Sequence, residues 1–598
     1  MERMLYAAEP IVTPDELAEM KKLADDFVAG DGPGLQAILI AEDKAKYSSF
    51  ITEPWFDMYL KDRRPLLLNQ NPQLTFKDEE GPGRSGAGTQ VSRASRLVHG
   101  ACTFARTLSS GNLEPDVFHT EPKKSKTKLF EEVVRLLPRG ISFYGAAACG
   151  AYPLDMSQYA NLFRSTRIPG PEEDELVVAP SSARHIAVFR NGQIFKVEVM
   201  GEDGGTVPLP ELHGALQAVA DAADAKPAKG DETLGVLTSL GRSEWADLRS
   251  KIESSDPTNA ANLKMVDSAL FVLSLEPGAP KDMQESCGFF LHGTGIDRWL
   301  DKSFSLIVAS NGQAAVNFEH AWGDGVAVLR FFNEVYTLST SMPLTSPVPP
   351  TRAPTQATFA LPPDVRSAIA DAKRAFDATI ARTELAIGQV DFYNSGLLKR
   401  CKLSPDGAMQ MAFQLAHVKM HGGPNLPSTY ESASTAAFKH GRTETIRSAT
   451  TEAAAFTAAF TDPSSSAIER AGKLRAAVDN HSRITRDALM GKGWDRHIFA
   501  LNHHATKGGL SIPLFSCRAL EKMRYIILST STLNSEALAG GGFGPVNDDC
   551  YAVGYGIRSY GSEARVMTYG RDSQGFVDCL TKAMEEMRDA AEEGAKAA

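Results

Sequence analysis

His320, in the stretch Glu319-His-Ala-Trp-Gly-Asp-Gly325, is the residue of this sequence best placed to move a proton. An imidazole ordinarily titrates close to cellular pH, so it can take a proton from a substrate group and return it. Asp324, four residues on, can orient the loop or form a local ion pair. A second candidate is Lys399-Arg-Cys-Lys-Leu-Ser-Pro-Asp406, where Ser404 followed by Pro405 reads as a helix start. Lys399, Arg400 and Lys402, beside the free backbone donors of a helix N-terminus, offer a phosphate both charge and hydrogen bonds. Each feature also has a plain structural reading: a histidine held within the fold, and a solvated basic turn.

The elements that must hold His320 are legible around it. Phe304-Ser-Leu-Ile-Val-Ala-Ser and Ala314-Ala-Val-Asn-Phe-Glu are short β-type runs joined through Asn311-Gly312, a strong hairpin signal. From Val326 to Tyr336 the apolar residues recur at helical spacing. His320 therefore falls where a strand ends and a helix is about to begin. A second Asn-Gly hairpin is expected over His185 to Val199, and helix and strand patterns alternate along the rest of the chain. Further β-type runs lie near Tyr525 to Ser531 and Cys550 to Ile557, and a final helix begins near Phe576.

These patterns predict an α/β protein of two lobes, each a mixed β-sheet flanked by helices. The first lobe is expected over 1–341 and the second over 364–598, a rough division since the first residues can pack with the second lobe. They are joined by the Pro-, Ser- and Thr-rich stretch 342–363, read as an extended surface connection. The chain has 598 residues, enough for large cores, and a net charge of −10, which argues against nucleic acid as a general partner. Seven scattered cysteines without a C-x-x-C pair argue for reduced thiols and against a disulfide framework or a zinc site. No metal is expected. Near 117–150, Lys123, Lys124, Lys126 and Lys128 precede Leu129, Phe130, Val133, Val134 and Leu137 on one helical face, with Arg135 and Arg139 adding charge. Such a segment can lie in the plane of an anionic membrane surface, and an ordinary surface helix satisfies the same periodicity.

Three more segments complete a specific set: Thr429-Tyr-Glu-Ser-Ala-Ser through Arg447, Gly491-Lys-Gly-Trp-Asp-Arg-His497, and Leu528-Ser-Thr-Ser-Thr532. With the histidine motif they resemble the carnitine/choline acyltransferase family. The likeness runs nearly end to end, from Pro54-Trp-Phe-Asp-Met-Tyr-Leu60 through Tyr152 to Tyr159 and Ser165-Thr-Arg-Ile-Pro169 to Gly541-Gly-Phe-Gly-Pro545. It is strongest toward the long-chain, mitochondrial inner-membrane branch, which carries an insert similar to 117–150.

The resemblance implies chloramphenicol acetyltransferase-like lobes and reversible transfer of a long fatty acyl group between CoA and the carnitine hydroxyl, as in fatty acid β-oxidation. CoA and carnitine are then substrates, and no cofactor is expected. His320 would be the general base, with no acyl-enzyme. Ser531, with Ser529 in the Ser-Thr-Ser motif, would donate hydrogen bonds to the reacting oxygens. Arg496 would bind the carnitine carboxylate with Tyr430 and Thr443, with Ser432 close by, and Phe543 would face the trimethylammonium. Arg442 either adds charge there or makes a structural ion pair. Lys399, Lys402, Ser404 and Asp406 would serve CoA. Ser395 stands where relatives place another lysine, so Arg400 would have to compensate and the CoA site should be weaker or more salt-sensitive. Gly541 and Gly542 would leave an acyl tunnel open where short-chain relatives carry a bulky plug. A medium- or short-chain enzyme, or an inactive acyl-CoA-binding scaffold, is the alternative. The expected location is the matrix face of the mitochondrial inner membrane, although no transit peptide is visible.

Overall fold

The computed structural model describes residues 1–423 and 425–597. Two mixed sheets carry the fold. In the first, eight strands run in the order Thr355–Ala357, Gln193–Glu198, His185–Arg190, Val272–Glu276, Phe304–Ala309, Ala314–Phe318, Gln73–Phe76 and Leu538–Gly542. Both Asn-Gly hairpins form as expected. Gly312 takes φ +83 at the first turn, and at the second Asn191 and Gly192 take φ +50 and +75, the left-handed pair that two-residue hairpins require.

The second sheet has six strands: Glu384–Val390, Ser562–Thr568, Tyr551–Ile557, Leu528–Thr532, Thr429–Ser434 and Thr443–Ile446. Its three middle strands are parallel to one another, and helices cover the outer face. Pro405–His421 is the most deeply set of these, with ten consecutive buried residues from Gly407 to Ala416. Ser404 caps it as its sequence predicts, its hydroxyl accepting the Gly407 N–H at 3.3 Å.

Tertiary packing redraws the expected lobes in three places. The helices of the first 60 residues belong with the second sheet: Met4, Met20, Phe27 and Trp55 share a core with Phe413, Tyr551 and Met584. Leu538–Gly542, far along the chain, completes the edge of the first sheet by pairing with Gln73–Phe76. The Pro-rich stretch 342–363 is more than a connection, since Thr355–Ala357 forms the opposite edge strand against Ile194 to Lys196. Pairing satisfies backbone groups that a bare sheet edge would leave open.

The segment 117–150 is an excursion closed by a short antiparallel pair, Val117–His119 with Ala151–Pro153. Within it, Lys128–Leu136 buries no residue, and Leu129 and Leu136 are 72% and 85% exposed. The Arg139 side chain lies outside the described residues. Among the described residues, no helix is long and apolar enough to cross a membrane.

Candidate active site

A cavity of about 920 Å³ lies between the two sheets, and His320 stands in its wall. The strand Ala314–Phe318 ends two residues before His320, and the helix Gly325–Ser341 begins five residues after it. The His320 backbone N–H donates to the Gln70 carbonyl at 3.1 Å, which fixes the turn. Its ring stacks on Tyr59 at a centroid distance of 5.6 Å, and the Tyr59 hydroxyl lies 3.3 Å from Nδ1. Among the described residues no hydrogen-bond partner takes Nε2, so that nitrogen is left to a ligand in the cavity.

Asp324 is buried and lies 3.9 Å from His320 Nδ1, beyond direct hydrogen bonding. Its carboxylate is held instead by Arg442 Nε at 2.7 Å and Gln158 Nε2 at 3.1 Å. Burial opposes the charged form, yet Arg442 and His320 outweigh it and keep the carboxyl below its ordinary range. Arg442 also donates to the carbonyls of His320 and Ala321, so it acts as the structural ion pair and clamps the turn that carries His320.

Arg167, unremarked within Ser165-Thr-Arg-Ile-Pro169, braces the same turn from behind. It is fully buried, donates to Gln70 Oε1 at 2.8 Å and Glu319 Oε1 at 3.0 Å, and reaches the Tyr59 carbonyl. Three segments around His320 therefore converge on one guanidinium. A spacing argument within one segment could not reveal a group that acts across three.

Across the cavity the strand Thr429–Ser434 alternates its faces. Tyr430, Ser432 and Ser434 line the cavity, while Glu431 points into the helix layer and accepts from His481 at 2.9 Å. Arg496 Nη2 meets the Tyr430 hydroxyl and Thr443 Oγ1, both at 3.2 Å, and Nε donates to the Thr443 carbonyl. Trp55 stacks on its guanidinium at 4.2 Å, a contact missed in the sequence although Trp55 lies in a motif quoted above. Asp495 balances the charge at 2.9 Å. The Asp495 side chain is only 14% exposed, which opposes its charge, but Arg447 and Arg496 beside it bring its carboxyl down to about 2. The arrangement sets a guanidinium beside two hydroxyls in the cavity wall, donors of the kind that can receive a small carboxylate.

Ser529, Thr530 and Ser531 line the cavity on the adjoining strand, and the Thr530 hydroxyl accepts from Gln410 and donates to the Tyr430 carbonyl. Phe543, Gly541 and Gly542 also line it. A Cβ on Gly541 would meet Leu74 Cδ2 and the Gln73 carbonyl at 3.1 Å, so any side chain there projects into a tight passage.

The remaining predicted group is not drawn into the cavity lining. Lys399, Arg400 and Lys402 are exposed on the turn between Ser395–Arg400 and Pro405–His421, a turn held by Arg475 through the Cys401 and Lys402 carbonyls. Asp406 faces inward, accepting from the Tyr555 hydroxyl at 2.7 Å beside Glu431 and His481. Tyr555 does line the cavity, which ties this turn to it through one side chain.

Comparison with known proteins places this geometry. Residues 1–582 match the family described as Choline/Carnitine o-acyltransferase. The chain is 41% identical to carnitine O-palmitoyltransferase 2, mitochondrial, of Rattus norvegicus, over 99% of this chain and 90% of that protein. It is 42% identical to the Homo sapiens protein of that name at the same coverage. To the muscle isoform of carnitine O-palmitoyltransferase 1 from Homo sapiens it is 30% identical, over 93% of this chain and 70% of that one. On these grounds the chain is an acyltransferase and belongs to the choline/carnitine O-acyltransferase family.

Proposed function

We propose that this enzyme transfers long-chain fatty acyl groups reversibly between CoA and the hydroxyl of carnitine. The observation that carries this reading is the pocket of Arg496, Tyr430 and Thr443 in the same cavity as His320 and Ser531. Beyond its pair with Asp495, the Arg496 Nη2 edge with its two hydroxyls can still receive a carboxylate, and choline has none to offer. Carnitine brings a carboxylate for Arg496, a cation that suits the aromatic face of Phe543, and a hydroxyl between them for His320.

The chemistry is then a single displacement. His320 takes the hydroxyl proton as the carnitine oxygen attacks the thioester carbonyl. Ser531 donates to the oxyanion that forms, collapse breaks the carbon–sulfur bond, and the imidazolium returns its proton to the departing thiolate. Tyr59 and Arg442 keep the imidazole aimed, and holding both substrates in one cavity supplies much of the rate. The exposed cations Lys399, Arg400 and Lys402 are suited to CoA phosphates at the surface, where added salt should raise the apparent KM for CoA.

The exposed apolar face of Lys128–Leu136, flanked by lysines, fits the surface of an anionic membrane, and the mitochondrial names of the relatives favour a mitochondrial one. The deciding experiment is an acyl-CoA length series assayed for CoA release with carnitine, with choline, and without acceptor. Carnitine-dependent turnover that peaks with long chains and disappears in His320→Ala is expected. CoA release with choline and not with carnitine, or equal turnover by His320→Ala, refutes the reading.

A further inference from the structure

The strand Tyr551–Ile557 leads from the reacting groups to the basic turn. Ser531 pairs with Gly554 on this strand. Gly554, Gly556 and Arg558 then follow one another along the cavity wall, at the two-residue period of one strand face. Four residues at ~3.3 Å each set the Arg558 backbone about 13 Å from that of Gly554. An extended pantetheine arm spans a comparable distance between its sulfur and its diphosphate.

Two contacts bring this end of the strand against the turn that carries Lys399. The Ser395 backbone N–H donates to the Arg558 carbonyl at 2.9 Å. Three residues earlier, the Tyr555 hydroxyl donates to Asp406 at 2.7 Å. Ser395 opens the short helix Ser395–Arg400, and Lys399 lies one turn on, over the same helix face. Lys399 and Arg400 are exposed there, while Ser395 offers only a short hydroxyl. Arg558 is thus a long cationic side chain rooted beside the start of that helix.

Its charge is not spent within the protein. Arg558 is half-buried, and Nη2 donates to the Leu538 carbonyl at 3.2 Å. Among the described residues no carboxylate comes within ion-pair distance of it. Arg565 and Arg496 in the same cavity differ, being paired with Glu563 at 2.6 Å and Asp495 at 2.9 Å. A guanidinium carries several donors in one plane, so a single bond to a carbonyl leaves most of them for a phosphate.

We propose that Arg558 binds a phosphate of CoA together with Lys399, where the nucleotide meets the mouth of the cavity. This rests on the acyl-transfer reading above and adds to the CoA site a residue from outside the basic turn. The bond to Leu538 holds the guanidinium in place before the nucleotide arrives, so less side-chain freedom is lost on binding.

The test compares Arg558→Leu and Arg558→Gln with the wild-type protein. Calorimetry measures affinity for CoA and for 3′-dephospho-CoA. Steady-state assays measure kcat/KM for palmitoyl-CoA and for palmitoylpantetheine, which has no phosphate. The expected result is CoA affinity about tenfold weaker in both variants, the worth of a hydrogen bond to a charged group. The ratio of kcat/KM for palmitoyl-CoA to that for palmitoylpantetheine should fall by the same factor. Glutamine keeps a donor for the Leu538 carbonyl and removes the charge, so it separates the two roles even if the leucine variant fails to fold. A loss seen with CoA and not with 3′-dephospho-CoA assigns the 3′-phosphate, and a loss with both assigns the diphosphate. Unchanged CoA affinity, or an equal loss with palmitoylpantetheine, overturns the proposal and leaves Arg558 as a clip between the two sheets. Calorimetry needs no acceptor, so a wild-type protein that binds CoA without carnitine-dependent turnover refutes the acyl-transfer reading, and the variants' affinities still judge Arg558.

Discussion

At the scale of the residue, the cavity separates two uses of charge. His320 is held by light contacts to one side chain, the stacked ring and hydroxyl of Tyr59. Arg496 is fixed from several sides, by Tyr430, Thr443, Asp495 and Trp55, which suits a permanent receptor for an anion. Arg496→Ala should lower kcat/KM for carnitine by about ten- to a hundredfold, the worth of a hydrogen bond to a charged group, in steady-state assays varying carnitine. Lysine should not rescue it, because one ammonium cannot reproduce the planar fork.

Asp495 gives the pH dependence. Its folded carboxyl is depressed to about 2, below the ordinary value near 3.8, so its stabilisation is fully present above about pH 4 and is lost as pH falls toward 2. Asp495→Asn should therefore lower stability by about 2 kcal/mol at neutral pH, with the difference from wild type shrinking to nothing near pH 2. Thermal melts across that range measure it.

At the scale of the element, the strand Leu538–Gly542 is the most consequential. Its glycines are explained by what crosses them: the Leu74 side chain at Gly541, Cys287 at Gly542 and the Arg565 guanidinium at Gly540. Gly541→Met should fill the passage and move preference toward short acyl groups, with kcat/KM for palmitoyl-CoA falling against that for acetyl- or octanoyl-CoA. Unchanged use of palmitoyl-CoA would show that the chain takes another route.

The helix Lys128–Leu136 is a second element whose sequence asks for a partner the chain itself does not supply, since it buries no residue. Replacing Leu129, Val133 and Leu136 with serine should reduce co-sedimentation with anionic vesicles while leaving turnover of a soluble short acyl substrate intact. Retention of full vesicle binding would remove the membrane role from this helix.

At the scale of the whole molecule, the cavity exists because the chain does not divide cleanly in two. Helices from the first 60 residues pack on the second sheet, and a strand from the last 61 residues closes the first. Each sheet thereby contributes a wall: Gln70, Phe318, His320 and Gly541 from one side, Tyr430, Ser529, Ser531 and Arg565 from the other. Sliding apart would break the pairing of Leu538–Gly542 with Gln73–Phe76, so the two walls are held in register.

Much of this was legible in the residues alone. Both Asn-Gly hairpins, the strand-to-helix turn at His320 and the Ser404 cap follow from local rules, because turn and cap geometry depend on a few adjacent side chains. Motif resemblance brought Tyr430, Thr443, Arg496 and the Ser-Thr-Ser strand to attention before their meeting could be seen. What local rules cannot supply is which distant segments touch. Arg167 behind the His320 turn and Trp55 over Arg496 act across separations of a hundred residues or more, and no periodicity records such contacts. Chain order also misplaced the first helices and the strand at 538–542, because apolar burial and edge pairing depend on distance in space and ignore distance along the chain. The amino-acid sequence therefore determined the chemistry at hand, while tertiary packing decided which groups share a cavity.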